Sequence, residues 1–246
     1  LTAYRQSTSE VFSPTGDRLA YPLEGQATAT SLYVTTDLGL APGFDAWVQL
    51  AFQRVEFSDL TAVRRSTGLG DIRIYTRWSP SARFGWSLPL AFRAGVKLPF
   101  GDFDAFSSVL PLGDGQTDFE FIAEVGHSFW PTNAYVTAWV GYRLRRPQPT
   151  TGFEVGNEPF FLLTGARSWN RWGARLAVDG ILGQEPAAVG LGGTSQARRL
   201  FRVHPALTVE IGPGGLEAGA RFPVAGRNLP AAPDIVVGYF VRWGGS

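Results

Sequence analysis

The sequence predicts an all-β protein, a transmembrane antiparallel up-and-down β-barrel of about 12 strands. Three observations lead to this fold class. Long segments alternate apolar and polar residues, which places one set on each face of a strand. The connections are alternately short and long, as in barrels with short periplasmic turns and longer extracellular loops. Seven of the eight Trp lie at or beside the short-turn ends of strands, where a membrane interface is expected.

Composition narrows the class further. The chain has 246 residues, no Cys, no Met and a formal net charge of +1 at pH 7, so nucleic acid is not an expected partner. No apolar run reaches the roughly 18 residues of a transmembrane helix. The start at Leu1 is what we expect of a mature protein after signal-peptide removal. A single barrel domain over 1–246 is predicted, with residues 1–25 forming a first strand and loop or, alternatively, a small N-terminal plug.

Two segments in the middle of the chain show the pattern most clearly. Segment 88–98 places its apolar residues on one face and basic residues on the other, and segment 118–129 repeats the pattern with acidic residues. If the two strands are neighbours, charges are expected to meet across the sheet. The residues in question are Arg93, Lys97, Glu120 and Glu124. An apolar outer face with charges neutralised inside is what a transmembrane barrel requires.

The same alternation assigns the other strands in chain order. They are predicted at 2–13, 28–40, 44–57, 71–78, 134–145, 160–169, 174–182, 201–211, 216–224 and 234–243. Longer loops are expected at 14–25, 58–67, 99–117, 146–159, 183–198 and 226–233. An even number of strands places both termini in the periplasm.

Two sets of candidate functional residues follow. The predicted aromatic girdle comprises Trp47, Trp78, Trp86, Trp130, Trp169, Trp172 and Trp243. The predicted luminal network comprises Arg73, Arg77, Arg93, Lys97, Asp118, Glu120, Glu124, Arg143, Arg175, Asp179, Arg202, Glu210 and Arg221. This network either stabilises the interior through salt bridges or forms a constriction that selects a solute. A 12-stranded barrel lies between filled 8-stranded and open 16-stranded ones, so a narrow or closed pore is expected.

Short motifs add a family resemblance. Gly-Leu-Gly-Asp at 68–71 opens a strand that leads to Trp78, and Lys-Leu-Pro-Phe-Gly-Asp at 97–102 ends another. Together with segment 133–144, these motifs resemble the outer-membrane family of transporters of the phenol-degradation meta-pathway type. The resemblance implies a bacterial outer-membrane location and a transport role. Because the motifs are short and mostly structural, they support the fold more than a substrate.

The sequence therefore predicts an outer-membrane channel for passive diffusion of small molecules, apolar or aromatic ones among them, through a narrow charged lumen. The alternative is a non-transporting barrel that serves as a membrane anchor or as a subunit of a larger assembly. A barrel-embedded lipid hydrolase is less favoured. It needs a His and a Ser on one face, whereas His127 and Ser128 are adjacent and point to opposite faces. Enzymatic activity is not expected.

The loop from Phe100 to Gly115 is unusually apolar for an exposed loop. It folds into the barrel mouth, binds an apolar solute, or contacts lipopolysaccharide or a protein partner, and these alternatives stay open. Its carboxylates Asp102, Asp104 and Asp114 suit Ca²⁺, but their spacing matches no calcium-loop motif, so neither a metal nor another cofactor is expected. The expected partners are the lipid bilayer, lipopolysaccharide and a small-molecule solute.

Overall fold

The computed structural model describes residues 1–101, 110–149, 155–185 and 197–243. Its strands are β1 (Thr2–Thr8), β2 (Glu10–Phe12), β3 (Arg18–Ala20), β4 (Gln26–Ala41), β5 (Phe44–Ser58), β6 (Val63–Leu69), β7 (Ile72–Trp78), β8 (Leu90–Leu98), β9 (Asp118–Phe129), β10 (Ala134–Arg145), β11 (Glu158–Trp169), β12 (Trp172–Leu182), β13 (Arg199–Ile211), β14 (Gly214–Arg227) and β15 (Asp234–Val241). A 3₁₀ turn (Pro22–Glu24) and a short helix, α1 (Pro80–Phe84), lie in connections. No helix in these ranges is long and apolar enough to cross a membrane.

The strands form a closed antiparallel barrel of 12 strands, which confirms the predicted fold class. β6 and β7 are two halves of one barrel strand, because both pair with β5, one after the other. β2 and β3 form a separate hairpin between the first two barrel strands. β1 pairs with β15 on one side and with β4 on the other, so the first strand closes the sheet on itself. Closure matters in lipid, where an unpaired backbone group has no water to bind.

One predicted loop is a strand. Residues 58–67 were expected to form a charged loop, but β6 covers Val63–Leu69 and only four residues, 59–62, connect it to β5. The physical reason is that the β5–β6 hairpin extends above the apolar part of the barrel wall. There, outward charges are solvated and can pair across the strands, as Arg65 does with Glu56 at 2.6 Å. In β6 both faces carry polar residues, so a search for alternating apolar residues does not detect this strand.

The two faces of the wall differ in the way that the alternation predicts. On β8, Phe92 is 43% exposed on the outer face, whereas Lys97 on the inner face is 2% exposed. On the inner face, glycines leave the space that neighbouring aromatic rings occupy. A Cβ atom at Gly95 would overlap the ring of the cross-strand neighbour Tyr75, and one at Gly141 would overlap the ring of Phe160. Rings therefore lie flat against the wall and occupy part of the lumen.

The membrane-facing assignment can be tested at two consecutive residues of β5. Val48 is 40% exposed on the outer face near the middle of the strand, and Gln49 lines a luminal cavity. We expect Val48→Arg to lower the free energy of unfolding by about 2–4 kcal/mol, because it places a charge in hydrocarbon. Gln49→Arg adds the same side chain to a hydrated interior and should cost less. Urea unfolding in lipid vesicles measures both, and equal losses would contradict the assignment.

Candidate functional site

The outer end of the lumen contains a buried amine surrounded by carboxylates. The Nζ of Lys97 lies 2.7 Å from Asp118, 2.5 Å from Asp114 and 3.3 Å from Asp71. Strand register places Lys97 of β8 opposite Asp118 of β9, while Asp71 precedes β7 and Asp114 belongs to the loop between β8 and β9. This single amine therefore joins three parts of the wall and holds a loop to them.

A buried carboxylate forms the second centre of this region. Glu158, at the start of β11, is fully buried and accepts hydrogen bonds from three guanidinium groups. The distances are 2.5 Å to Arg143, 3.0 Å to Arg145 and 2.8 Å to Arg198. Arg143 also donates to Glu120 at 2.8 Å. We call the combined set the outer cluster, and its members are Asp71, Lys97, Asp114, Asp118, Glu120, Arg143, Arg145, Glu158 and Arg198.

The outer cluster holds the end of the 100–115 loop inside the barrel mouth. The backbone N–H of Asp114 donates to Asp71 at 3.0 Å, and Leu112 is only 2% exposed. Burial alone raises the pKa of Asp114, but Lys97, Arg198 and Arg145 outweigh it and hold that pKa well below its ordinary value. The carboxylate thus stays ionised at neutral pH, and the loop loses this attachment only when strong acid protonates Asp114.

The metal hypothesis concerned the same loop. Asp102 and Asp104, two of its three carboxylates, lie outside the described residues. In the described ranges no three acidic or His side chains are arranged to hold a metal ion. Asp114 is instead in contact with Lys97 and two arginines.

Farther down the lumen, a guanidinium lies between two indole rings. Arg93 pairs with Glu124, and its Cζ atom lies 5.3 Å from the ring centre of Trp139 and 5.9 Å from that of Trp47. Trp47 stacks on Tyr75, with ring centres 4.2 Å apart. Such contacts combine charge pairing with cation–π attraction.

The prediction that Trp47 belongs to the aromatic girdle is therefore wrong. Trp47 follows a short turn, but strand register places it opposite Tyr75 on the inner face. Closeness to a turn does not decide which face a side chain occupies. The other Trp residues of the predicted girdle are exposed, namely Trp78, Trp86, Trp130, Trp169, Trp172 and Trp243.

The wall from β12 to β15 carries isolated ion pairs. The distances are 2.5 Å for Arg175–Glu217, 2.7 Å for Arg202–Asp179 and 2.6 Å for Arg221–Asp234. Arg77 of β7 pairs with Asp45 of β5 at 2.7 Å and also lies 4.0 Å from Glu124, the partner of Arg93. Glu210 is exposed near the periplasmic end of β13 and has no ion pair with a described residue.

The predicted partners were only partly right. Arg93 meets Glu124 as expected, but Lys97 meets Asp118, because register places Glu120 opposite Gly95 instead. Glu120 pairs with Arg143 and accepts a hydrogen bond from Tyr75. The predicted network also missed several members, which are Asp45, Asp114, Arg145, Glu158, Arg198 and Asp234.

The remaining part of the lumen, along β1, β4 and β5, holds two polar cavities. One has a volume of about 290 Å³ and is lined by Tyr4, Gln6 and Ser31, among others. The second, of about 230 Å³, is bordered by residues 111–114. Both are lined by the same three residues, which are Tyr33, Gln49 and Arg73. Arg73 makes no ion pair with a described residue, and it lies where the two cavities meet.

Comparison with known proteins places the chain in a family. A profile described as "Putative MetA-pathway of phenol degradation" matches residues 14–236. The chain belongs to this family. The resemblance carried by the short motifs is thereby confirmed. No curated protein matches the chain.

A solved structure supports the fold of this family member independently. It is the crystal structure of an outer membrane channel from Pseudomonas putida F1, similar with a TM-score of 0.74 over 97% of this chain and 92% of that chain. The two sequences are 12% identical, so the likeness establishes the shared barrel fold. It agrees with the predicted outer-membrane location.

The contribution of the outer cluster to stability can be tested by making the same Glu→Gln substitution inside and outside it. Glu158→Gln leaves the buried Arg145 and the partly buried Arg143 and Arg198 without their shared anion. Because Glu158 itself is fully buried, we expect the substitution to lower the free energy of unfolding by about 3–5 kcal/mol. Glu56→Gln breaks an exposed pair with Arg65, whose side chains are 51% and 31% exposed, and should cost about 0–1 kcal/mol. Urea unfolding in detergent measures both. Comparable losses would show that the outer cluster is not an energetic centre.

Proposed function

We propose that the protein is an outer-membrane channel for passive diffusion of small solutes, and that the solutes move along the wall formed by β1, β4 and β5. The observation that carries this proposal is the pair of polar cavities meeting at Tyr33, Gln49 and Arg73. Ion pairs line the rest of the charged lumen, and one of them, Arg175–Glu217, borders a further cavity of about 620 Å³ near the periplasmic end. The similar structure from Pseudomonas putida F1 is that of an outer membrane channel, which supports the same role here.

The lining of this path suggests which solutes it favours. The ion pairs on β12 to β15 cancel locally. Arg73 has no ion-pair partner among the described residues, and it lines the outer cavity together with Asp71 and Asp114, so it is the cation that a solute meets there. The rings of Tyr4 and Tyr33 pack edge to face, with centres 5.4 Å apart, and the amides of Gln49 and Gln53 line the outer cavity. A flat molecule that carries a carboxylate or another polar group fits such a surface, with ring contacts to its body and hydrogen bonds to its polar end.

We propose that residues 111–114 control the outer entrance. These residues, Pro111, Leu112, Gly113 and Asp114, line the outer cavity, so the position of this segment determines how wide the entrance is. The attachment of Asp114 to the outer cluster keeps the segment inside the mouth. Conductance should therefore depend on that attachment.

The alternatives differ in what supports them. A structural barrel without transport is favoured by the many luminal ion pairs, and it predicts no conductance.

Family and fold point to a channel rather than an enzyme, and the His residues agree with this. His204 contacts Arg175 at 3.4 Å, and His127 packs against Phe129 on the outer surface.

The selectivity of single channels in planar bilayers tests the solute path. We expect small conductance with a preference for anions, because Arg73 is the unpaired luminal cation at the junction. Arg73→Gln should remove most of this preference, and Arg73→Glu should reverse it. Arg171→Gln, in the exposed turn between β11 and β12, is the charge-matched control and should leave the anion preference unchanged. If the folded protein carries no current and passes no solute into liposomes, the structural barrel is the better explanation.

The role of the loop is tested by a second pair of variants. Asp114→Asn weakens the attachment of the loop to Lys97, Arg145 and Arg198, so we expect larger or longer openings in the same recordings. Asp59→Asn is the control, because Asp59 lies in the 59–62 connection and pairs with Arg64 at 3.5 Å. An unchanged conductance in Asp114→Asn would show that the loop segment does not limit the entrance.

A further inference from the structure

The outer surface of the barrel changes from apolar to basic at one level. The outward residues of β5 are apolar from Phe44 to Phe52, and the first charged one is Arg54. Phe44 lies opposite Trp78 at the periplasmic end. A tilted strand needs about 9–11 residues to cross a bilayer, so Arg54, ten positions after Phe44, lies at the outer edge of the hydrocarbon. This is the level of the outer-leaflet headgroups.

Strand register brings a second arginine to the same level. Thr30 of β4 lies opposite Arg5 of β1 on one side and opposite Arg54 of β5 on the other. Neighbouring strands are about 4.8 Å apart, so the two arginine backbones lie roughly 10 Å from each other. Their long side chains can converge over the hydroxyl of Thr30. All three residues are exposed.

These two arginines lack an acidic partner. Neither Arg5 nor Arg54 makes an ion pair with a described residue. The outward acid of the adjoining row, Glu56, is already bound to Arg65 at 2.6 Å. Like charges side by side on a sheet are destabilising, and an anion between them removes that cost. Guanidinium groups bind phosphate through two parallel hydrogen bonds, and Thr30 adds a hydroxyl donor.

We propose that Arg5, Thr30 and Arg54 form an external site for the phosphate groups of an outer-leaflet glycolipid. The row below this site is lipid-facing and consists of Ala3, Leu32 and Phe52. The phosphate groups bind the arginines while the acyl chains of the same molecule cover that apolar row. This continuity selects a lipid over free phosphate, because inorganic phosphate would use only the upper half of the surface.

Native mass spectrometry of the full chain in detergent tests the site. The probe is hexa-acylated lipid A with two phosphate groups, and the test variant is Arg5→Gln/Arg54→Gln. We expect its affinity to fall about tenfold, as loss of charge-assisted hydrogen bonds predicts. Arg167→Gln/Arg171→Gln removes two exposed arginines from the periplasmic end, with the same change of charge, and should bind like the wild type. Heat-modified migration on gels confirms that each variant is folded.

Two further arms separate the sources of phosphate. Dephosphorylated lipid A should bind wild type and test variant equally, because only the phosphate contacts differ. Inorganic phosphate at millimolar concentration should not displace the lipid from the wild-type protein. Unchanged binding of diphosphorylated lipid A by the folded test variant would overturn the proposal. Complete displacement by inorganic phosphate would also overturn it, because the site would then recognise the free anion.

Discussion

The structure depends on neutralising charge inside a closed sheet. The luminal charges cannot face the lipid, and the centre of the outer cluster is too buried to be solvated by bulk water. This centre consists of Lys97, Asp118, Arg145 and Glu158. A buried ion is tolerated only when partners replace its hydration. Glu158 meets this requirement with three guanidinium groups and Lys97 meets it with three carboxylates. These contacts connect strands that are not all neighbours, so they fix the shape of the lumen as well as its charge.

This arrangement fills the lumen unevenly. Ion pairs line the side formed by β7 to β15, where a cavity of about 620 Å³ remains near the periplasmic end. Strands β1, β4 and β5 contribute Tyr, Gln and Ser side chains to the two cavities farther out. The 100–115 loop follows the same division, because Asp114 binds the charged side and Leu112 borders the outer cavity. Ion pairs thus cross-link the side formed by β7 to β15, and the cavities along β1, β4 and β5 are lined mainly by uncharged polar side chains.

The sequence predicted the features that depend on one strand at a time. Alternation identified the strands and their faces, and the even count gave the barrel. It could not supply the features that depend on register. Lys97 pairs with Asp118 instead of Glu120 because the strands align that way, and Trp47 faces inward because it lies opposite Tyr75. Glu158 fell at the end of the predicted loop 146–159, whose Pro and Gly content concealed the start of β11.

The uneven lumen has a consequence for how a barrel of this kind can diversify. Substitutions on the hydrated side, for example at Gln49 or Ser31, alter the surface that a solute meets and leave the bracing ion pairs intact. Changes on the charged side lower the free energy of unfolding, because each removed charge leaves its partner unpaired. Selection for a new solute can therefore act on three strands with little loss of stability. In this molecule the capacity to evolve a new specificity and the capacity to fold reside on opposite sides of one pore.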